Sequence, residues 1–166
     1  MKKACLAFGA NVGDAKENIK EAYAALALIP GVRVLKTSSF YVTKPWGVTD
    51  QPDFVNSAAL VETDYSPEAL LGICLGVEAG MRRVRTVKNG PRRIDVDLLL
   101  YEGETRDTRE LKLPHPRMHE RPFVLQPLSE LTETGTVLGF DAASALANLK
   151  NDGTTPGDVI AKEKKD

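Results

Sequence analysis

The string Gly90-Pro91-Arg92-Arg93-Ile94-Asp95-Val96-Asp97-Leu98-Leu99-Leu100 sets two carboxylates two positions apart in a run that ends in three leucines. Side chains two apart on a strand share a face, so Asp95 and Asp97 project together, roughly 7 Å apart along an extended chain. Adjacent carboxylates repel, and a hard divalent cation relieves the repulsion. Mg²⁺ takes one or two protein carboxylates and completes its octahedron with water and phosphate oxygens. The spacing also suits two ions bridged by carboxylates and a polyphosphate. The alternative is a polar strand face whose acids pair with neighbouring arginines, since Asp-x-Asp alone is common.

The surroundings favour a phosphate site. From Arg82 to Arg93, six of twelve residues are basic: Arg82, Arg83, Arg85, Lys88, Arg92 and Arg93. Arginine grips phosphate oxygens in bidentate fashion, and this group sits on a Gly/Pro-bearing segment just before the acids. His115, held between Pro114 and Pro116, and Arg121 six residues on are further candidates for a phosphate or base contact. No Gly-x-x-x-x-Gly-Lys-Ser/Thr or Gly-x-Gly-x-x-Gly string occurs, so a nucleotide would be held by other means. The stretch from 43 to 54 carries Trp46, the single tryptophan, and ends at Phe54, with Asn56 two residues beyond. Aromatic faces with an amide that both donates and accepts suit a planar heterocycle. A tryptophan capping the core from outside is the competing account of Trp46.

The elements that must position these groups follow from periodicity. Residues 4–8 form a short apolar run ending at Gly9, a buried strand. Asp14 with Glu17 makes a capping box for a helix in which Ala15, Ile19, Ala22, Tyr23, Leu26 and Ile29 recur at helical spacing until Pro30-Gly31. Residues 32–42 and 54–63 read as two strands joined by the 43–53 loop. Ser66-Pro67-Glu68 starts a second helix that runs to Met81, with Glu78 near its end. A loop then precedes a strand over 92–101. The order β-α-β-β-α-β predicts an α+β, ferredoxin-like antiparallel sheet with both helices on one face. Short helices follow at 123–131, broken by Pro127, and at 142–149, and the charged end from 161 to 166 reads as a frayed tail.

Composition narrows the function classes. At 166 residues, 42% hydrophobic and 27% charged, the chain reads as one domain over 1–160. A net charge of -1 disfavours nucleic acid as a partner, and the apolar runs are far shorter than the roughly 20 residues of a membrane span. The apolar run after Met1-Lys2-Lys3 is too short for a signal peptide. With two widely separated cysteines, Cys5 and Cys74, read as buried thiols, this predicts a cytoplasmic protein.

Several ordered motifs together resemble the 6-hydroxymethyl-7,8-dihydropterin pyrophosphokinase family of folate biosynthesis. They are Gly9-Ala10-Asn11, Ser38-Ser39-Phe40-Tyr41, Asp50-Gln51-Pro52-Asp53-Phe54-Val55-Asn56, Arg83-Val84-Arg85, Gly90 to Asp97, Pro114-His115 and Arg121-Pro122-Phe123. The resemblance implies transfer of the terminal diphosphate of ATP to the hydroxymethyl oxygen of the pterin, releasing AMP. It implies that Asp95 and Asp97 bind two Mg²⁺. It further implies Arg83, Arg92 and Asp97 as catalytic groups, and Glu78, Arg85, Arg92, His115 and Arg121 as ATP contacts. The pterin site would comprise Thr43, Lys44, Trp46, Phe54, Asn56, Asp95 and Phe123, with Phe54 and Phe123 stacking on either side of the ring. The chain departs from the family's common pattern at Lys44, Asn89 and Glu110. ATP and a pterin are the expected partners of a chain read as a monomer, with ATP binding first. An RNA- or ligand-binding module and a different Mg²⁺-dependent transferase are the competing readings.

Overall fold

The computed structural model describes residues 1–45, 47–48, 50–81 and 91–165. Its first half runs β1 (Lys2–Ala10), α1 (Ala15–Ala27), β2 (Val32–Thr37), β3 (Phe40–Thr43), β4 (Phe54–Thr63), α2 (Pro67–Gly80) and β5 (Asp95–Tyr101). These follow the expected β-α-β-β-α-β order, with one strand divided. The second half adds small ladders β6 (Arg106–Asp107) with β7 (Lys112–Leu113) and β8 (Thr136–Val137) with β9 (Phe140–Asp141). It also holds a 3₁₀ turn at Met118–Glu120, α3 (Pro122–Ser129), α4 (Ala142–Ala147) and a closing strand, β10 (Val159–Glu163).

The main sheet has the order β10-β3-β4-β1-β5, all antiparallel, and β2 pairs with the C-terminal half of β4. The fold is ferredoxin-like, with central strands β4 and β1. Side chains of β1 alternate between the two faces. Ala4, Leu6, Phe8 and Ala10 join Ile19, Ala22 and Leu26 of α1 and Leu70, Cys74 and Val77 of α2 in one core. Cys5 and Ala7 meet Val124, Leu125 and Leu128 of α3 and Ala142 of α4 in a second core across the sheet. Burying each large aliphatic side chain is worth about 1.5–3 kcal/mol, so both faces contribute to stability.

The helix starts match the sequence signals. Asp14 Oδ1 accepts the Glu17 amide at 3.1 Å, and Ser66 Oγ accepts that of Ala69 at 3.2 Å. The 32–42 strand is instead two. At the break, Ser38 Oγ accepts the Ala58 amide at 2.9 Å, while the Ser39 amide and hydroxyl both donate to Glu130, so side chains take over from the ladder. Nor does Pro127 break α3, which continues to Ser129. The proline forfeits one bond near the helix end, while Val124, Leu125 and Leu128 stay buried on the sheet. In the charged tail, Ala161, Lys162 and Glu163 pair with Val42, Tyr41 and Phe40.

Cys5 and Cys74 are buried free thiols in cores on opposite sides of the sheet, and burial pushes both up to about 12. Among the described residues, no helix is long and apolar enough to cross a membrane.

Candidate active site

Asp95 and Asp97 begin β5 opposite Gly9 and Ala7 of β1. Because Val96 and Leu98 point into the α1/α2 core, the two acids face the opposite side, where α3 lies. There they line an open cleft of about 610 Å³, together with Ala7, Gly9, Thr43, Lys44, Phe54, Asn56, Arg92, Arg121 and Phe123. Of the expected site residues, nine thus meet in one cavity: Thr43, Lys44, Phe54, Asn56, Arg92, Asp95, Asp97, Arg121 and Phe123. Trp46, Arg83 and Arg85 lie outside the described residues, as does Asn89. Glu110 is exposed and away from the cleft lining.

The acids are held against their own repulsion. Arg92 Nη1 donates to Asp95 Oδ2 at 2.9 Å, with both side chains largely buried. Asp97 is pushed well above the ordinary aspartate range, first by burial and then by the charges of Asp95 and Glu78, with Arg121 and Arg92 opposing. Glu78 does not line the cleft. It is 4% exposed, and its Oε1 accepts the Val96 amide at 3.0 Å, so it fixes the backbone between the two acids from the outer edge of β5. His115 also lies outside the lining. Its amide donates to the Leu99 carbonyl at 2.9 Å, and its Nδ1 accepts the Arg117 amide at 3.3 Å. Burial, reinforced by Arg121 and Arg117 and opposed by Asp95, holds this imidazole below its ordinary pKa and so favours its neutral form.

Toward the other end of the cleft, Asn56 Nδ2 donates to Thr43 Oγ1 at 2.7 Å. The Asn56 carboxamide lies over Gly9, where an added Cβ would sit 2.8 Å from Oδ1, so only glycine leaves room for it. Phe54 and Phe123 flank this recess, and each carries a guanidinium: Arg92 lies 5.2 Å from the Phe54 ring centre and Arg121 lies 5.7 Å from that of Phe123. The buried Nε of Arg121 has no hydrogen-bond partner among the described residues.

Two asparagines that sequence reasoning leaves without a role tie the site together. Asn11 Nδ2 donates to Gln51 Oε1 and to the Pro52 carbonyl, both at 2.9 Å, and its Oδ1 accepts the Arg92 amide at 2.9 Å. Asn18 of α1 donates to the carbonyls of Val12 and Arg93 at 2.8 and 3.2 Å. Glu130, also unassigned, accepts from Ser39 and from Tyr41, at 2.6 Å for the phenol, and so joins the end of α3 to β3. Asn11 stands within the Gly9-Ala10-Asn11 motif, but nothing local in the sequence marks Asn18 or Glu130.

Among the described residues, no three or more His, Cys, Asp or Glu side chains gather to hold a metal. Two clustered carboxylates, one of them raised by burial and then by like charges, fit a cation that supplies its remaining ligands from water and phosphate, which is the habit of Mg²⁺.

Residues 5–133 match the family described as 7,8-dihydro-6-hydroxymethylpterin-pyrophosphokinase (HPPK). The 2-amino-4-hydroxy-6-hydroxymethyldihydropteridine pyrophosphokinase of Methylorubrum extorquens is 42% identical over 153 residues, covering 92% of this chain and 97% of that protein. Its Bacillus subtilis namesake is 42% identical over 130 residues, 78% of each chain. The crystal structure of wild-type Plasmodium falciparum HPPK-DHPS superposes with a TM-score of 0.64 at 13% identity, covering 88% of this chain and 40% of that longer one, a likeness of fold. With a match over most of its length and relatives at this level of identity, the chain belongs to the 7,8-dihydro-6-hydroxymethylpterin-pyrophosphokinase family and is an enzyme of the pyrophosphokinase type.

Proposed function

We propose that this chain transfers the terminal diphosphate of ATP to the hydroxymethyl oxygen of 6-hydroxymethyl-7,8-dihydropterin, giving AMP and the pterin diphosphate, as a cytoplasmic step of folate biosynthesis. The observation that carries the reading is a single cleft with two chemistries. One end offers an amide and hydroxyl between two aromatic rings, and the other offers paired carboxylates beside two arginines. The names of the relatives carry the same substrate class.

Asn56, Thr43 and Lys44 would match the polar edge of the pterin while Phe54 and Phe123 take its faces. Unmatched ring nitrogens would cost about 1–3 kcal/mol each, which gives selectivity. Stacking on Phe54 or Phe123 would displace or slide under the guanidinium now lying over each ring. Arg92 and Arg121 would thereby be released toward the phosphates. Arg83 and Arg85, from the same basic segment, would complete the phosphate grip. Glu78 would serve the nucleotide side by holding Val96, and His115 by a neutral imidazole near Arg121.

Asp95 and Asp97 would hold two Mg²⁺, which when bound neutralise phosphate charge and align the reacting groups. In the transfer, the pterin hydroxyl oxygen bonds to the β-phosphorus and the bond from that phosphorus to the α,β-bridging oxygen breaks. The oxygen leaves with AMP, and the hydroxyl proton passes to the Asp97 carboxylate or to water. The arginines position the chain of phosphates and offset developing charge, so no covalent enzyme intermediate is needed.

Incubation of the purified chain with ATP, Mg²⁺ and the hydroxymethyl dihydropterin should yield AMP and pterin diphosphate. ADP as the nucleotide product would instead favour another Mg²⁺-dependent transferase, and no turnover with RNA binding would favour the binding-module reading.

A further inference from the structure

The end of the described chain returns to the wall of the cleft. Strand β10 pairs with β3, setting Val159 opposite Thr43 and Lys162 opposite Tyr41. The pairing continues past β3: the Lys44 amide donates to the Asp158 carbonyl at 3.0 Å, and the Gly157 amide donates to the Lys44 carbonyl at 3.0 Å. Both main-chain groups of Lys44 are therefore engaged at the point where the chain leaves the sheet for the 45–53 loop. Thr43 and Lys44 themselves line the cleft, and Thr43 holds Asn56.

The turn that presents Asp158 is built to stay in place. Asp158 is 2% exposed, and its Oδ2 accepts the Thr155 amide at 3.1 Å while its own amide donates to the Thr155 carbonyl at 3.0 Å. Asn151 Oδ1 accepts the amide of Val159 at 2.8 Å. Further along β10, Lys162 lies 5.7 Å from the centre of the Tyr41 ring and 3.9 Å from Glu130 at the end of α3. The strand thus grips β3 by its backbone and the end of α3 by a side chain. A polar side chain buried this deeply and spent on the Thr155 amide of its own turn serves the turn's shape.

We infer that the C-terminal turn and strand brace the pterin-side wall, with Asp158 as a positioning residue that acts through the backbone of Lys44. This rests on the reading that Thr43, Lys44 and Asn56 receive the pterin. Without the brace, Lys44 swings with the loop, and the Thr43–Asn56 pair loses its fixed distance from Phe123 on the opposite wall. Among the described residues, the hydrogen bonds of this turn reach Lys44 and neither β5 nor Arg121, so the nucleotide end keeps its geometry.

The test uses the full chain. Asp158→Ala should raise the KM for the pterin about three- to tenfold, the worth of one net backbone hydrogen bond, with the KM for ATP within about twofold of wild type. Asp158→Asn, which keeps an acceptor for Thr155, should recover most of the loss. Hydrogen exchange of the Lys44 and Gly157 amides, followed by NMR in the ligand-free protein, should quicken in Asp158→Ala. Should that variant not fold, Asn151→Ala, which removes the acceptor for Val159, gives the same comparison. An unchanged pterin KM, an equal rise in both KM values, or unchanged exchange at Lys44 would overturn the brace. If wild type fails to turn over the pterin, the functional reading falls, and exchange at Lys44 still decides the brace.

Discussion

Asn11 and Arg92, 81 positions apart, exchange two hydrogen bonds: the Asn11 amide donates to the Arg92 carbonyl at 3.0 Å, and the Arg92 amide donates to Asn11 Oδ1 at 2.9 Å. The same carboxamide reaches Gln51 and Pro52. One buried side chain therefore joins the end of β1, the end of the 43–53 loop and the residue that pairs with Asp95. Asn11→Ala leaves the Arg92 amide and the Pro52 carbonyl without these partners, at about 1–3 kcal/mol for a buried group left unsatisfied. Urea unfolding should show a loss of that order, and the KM values for both substrates should rise together. A rise in only one would mean that the two segments move independently.

The raised acid of Asp97 links activity to stability. An acid that binds its proton more tightly when folded makes stability fall as pH rises from the ordinary aspartate pKa through the raised one. Asp97→Asn removes that penalty. The ligand-free variant should therefore melt higher than wild type near pH 8, by roughly 2–4 °C for each kcal/mol recovered, with the difference shrinking toward pH 4. Turnover should nevertheless be lost. Melting curves across this range check it, and a variant that melts lower at every pH would show that Asp97 stabilises the empty site.

Glu130 has the opposite sign. Burial raises its acid, but the hydrogen bonds from Tyr41 and Ser39 and the charge of Lys162 outweigh this and hold it below the ordinary glutamate value. Its contribution is present above that ordinary value and is lost as pH falls through the lowered one. In urea titrations below about pH 4.5, Glu130→Gln should flatten the acid loss of stability and cost about 1–2 kcal/mol at neutral pH. An unaltered acid limb would remove Glu130 as the tie between α3 and β3.

The Nε of Arg121, without a hydrogen-bond partner among the described residues, is a donor in wait of an acceptor. Lysine keeps the charge but loses the fork, so Arg121→Lys should weaken binding of a non-hydrolysable ATP analogue about tenfold, measured by calorimetry. Binding at wild-type strength would mean that charge alone suffices there.

Much of the fold and of the cleft is legible in the sequence, and for local reasons. The capping residues Asp14 and Ser66 and the helical spacing after them fix both long helices, and the two-residue period of a strand puts Asp95 and Asp97 on one face. Asp95, Asp97, Arg92, Phe54 and Asn56 stand out because an acid pair, arginines beside it and an aromatic-amide pair occur together, whereas Thr43, Lys44 and Phe123 enter through the family resemblance. What escapes a local reading is set by distant partners. Ser38 and Ser39 break a strand only because Ala58 and Glu130 accept or supply their bonds, and β10 forms only because β3 offers a free edge. Glu78, an ATP contact only by the family resemblance, accepts the Val96 amide of β5, a partner that nothing near it in the sequence marks.

The most direct measurement is a crystal structure of the chain with Mg²⁺, a non-hydrolysable ATP analogue and the pterin. The account predicts Asp95 and Asp97 oxygens about 2.0–2.1 Å from magnesium, with the β-phosphorus facing the pterin hydroxyl between Phe54 and Phe123. Magnesium bound elsewhere, with Asp95 still paired to Arg92 and Asp97 away from any metal, would contradict it.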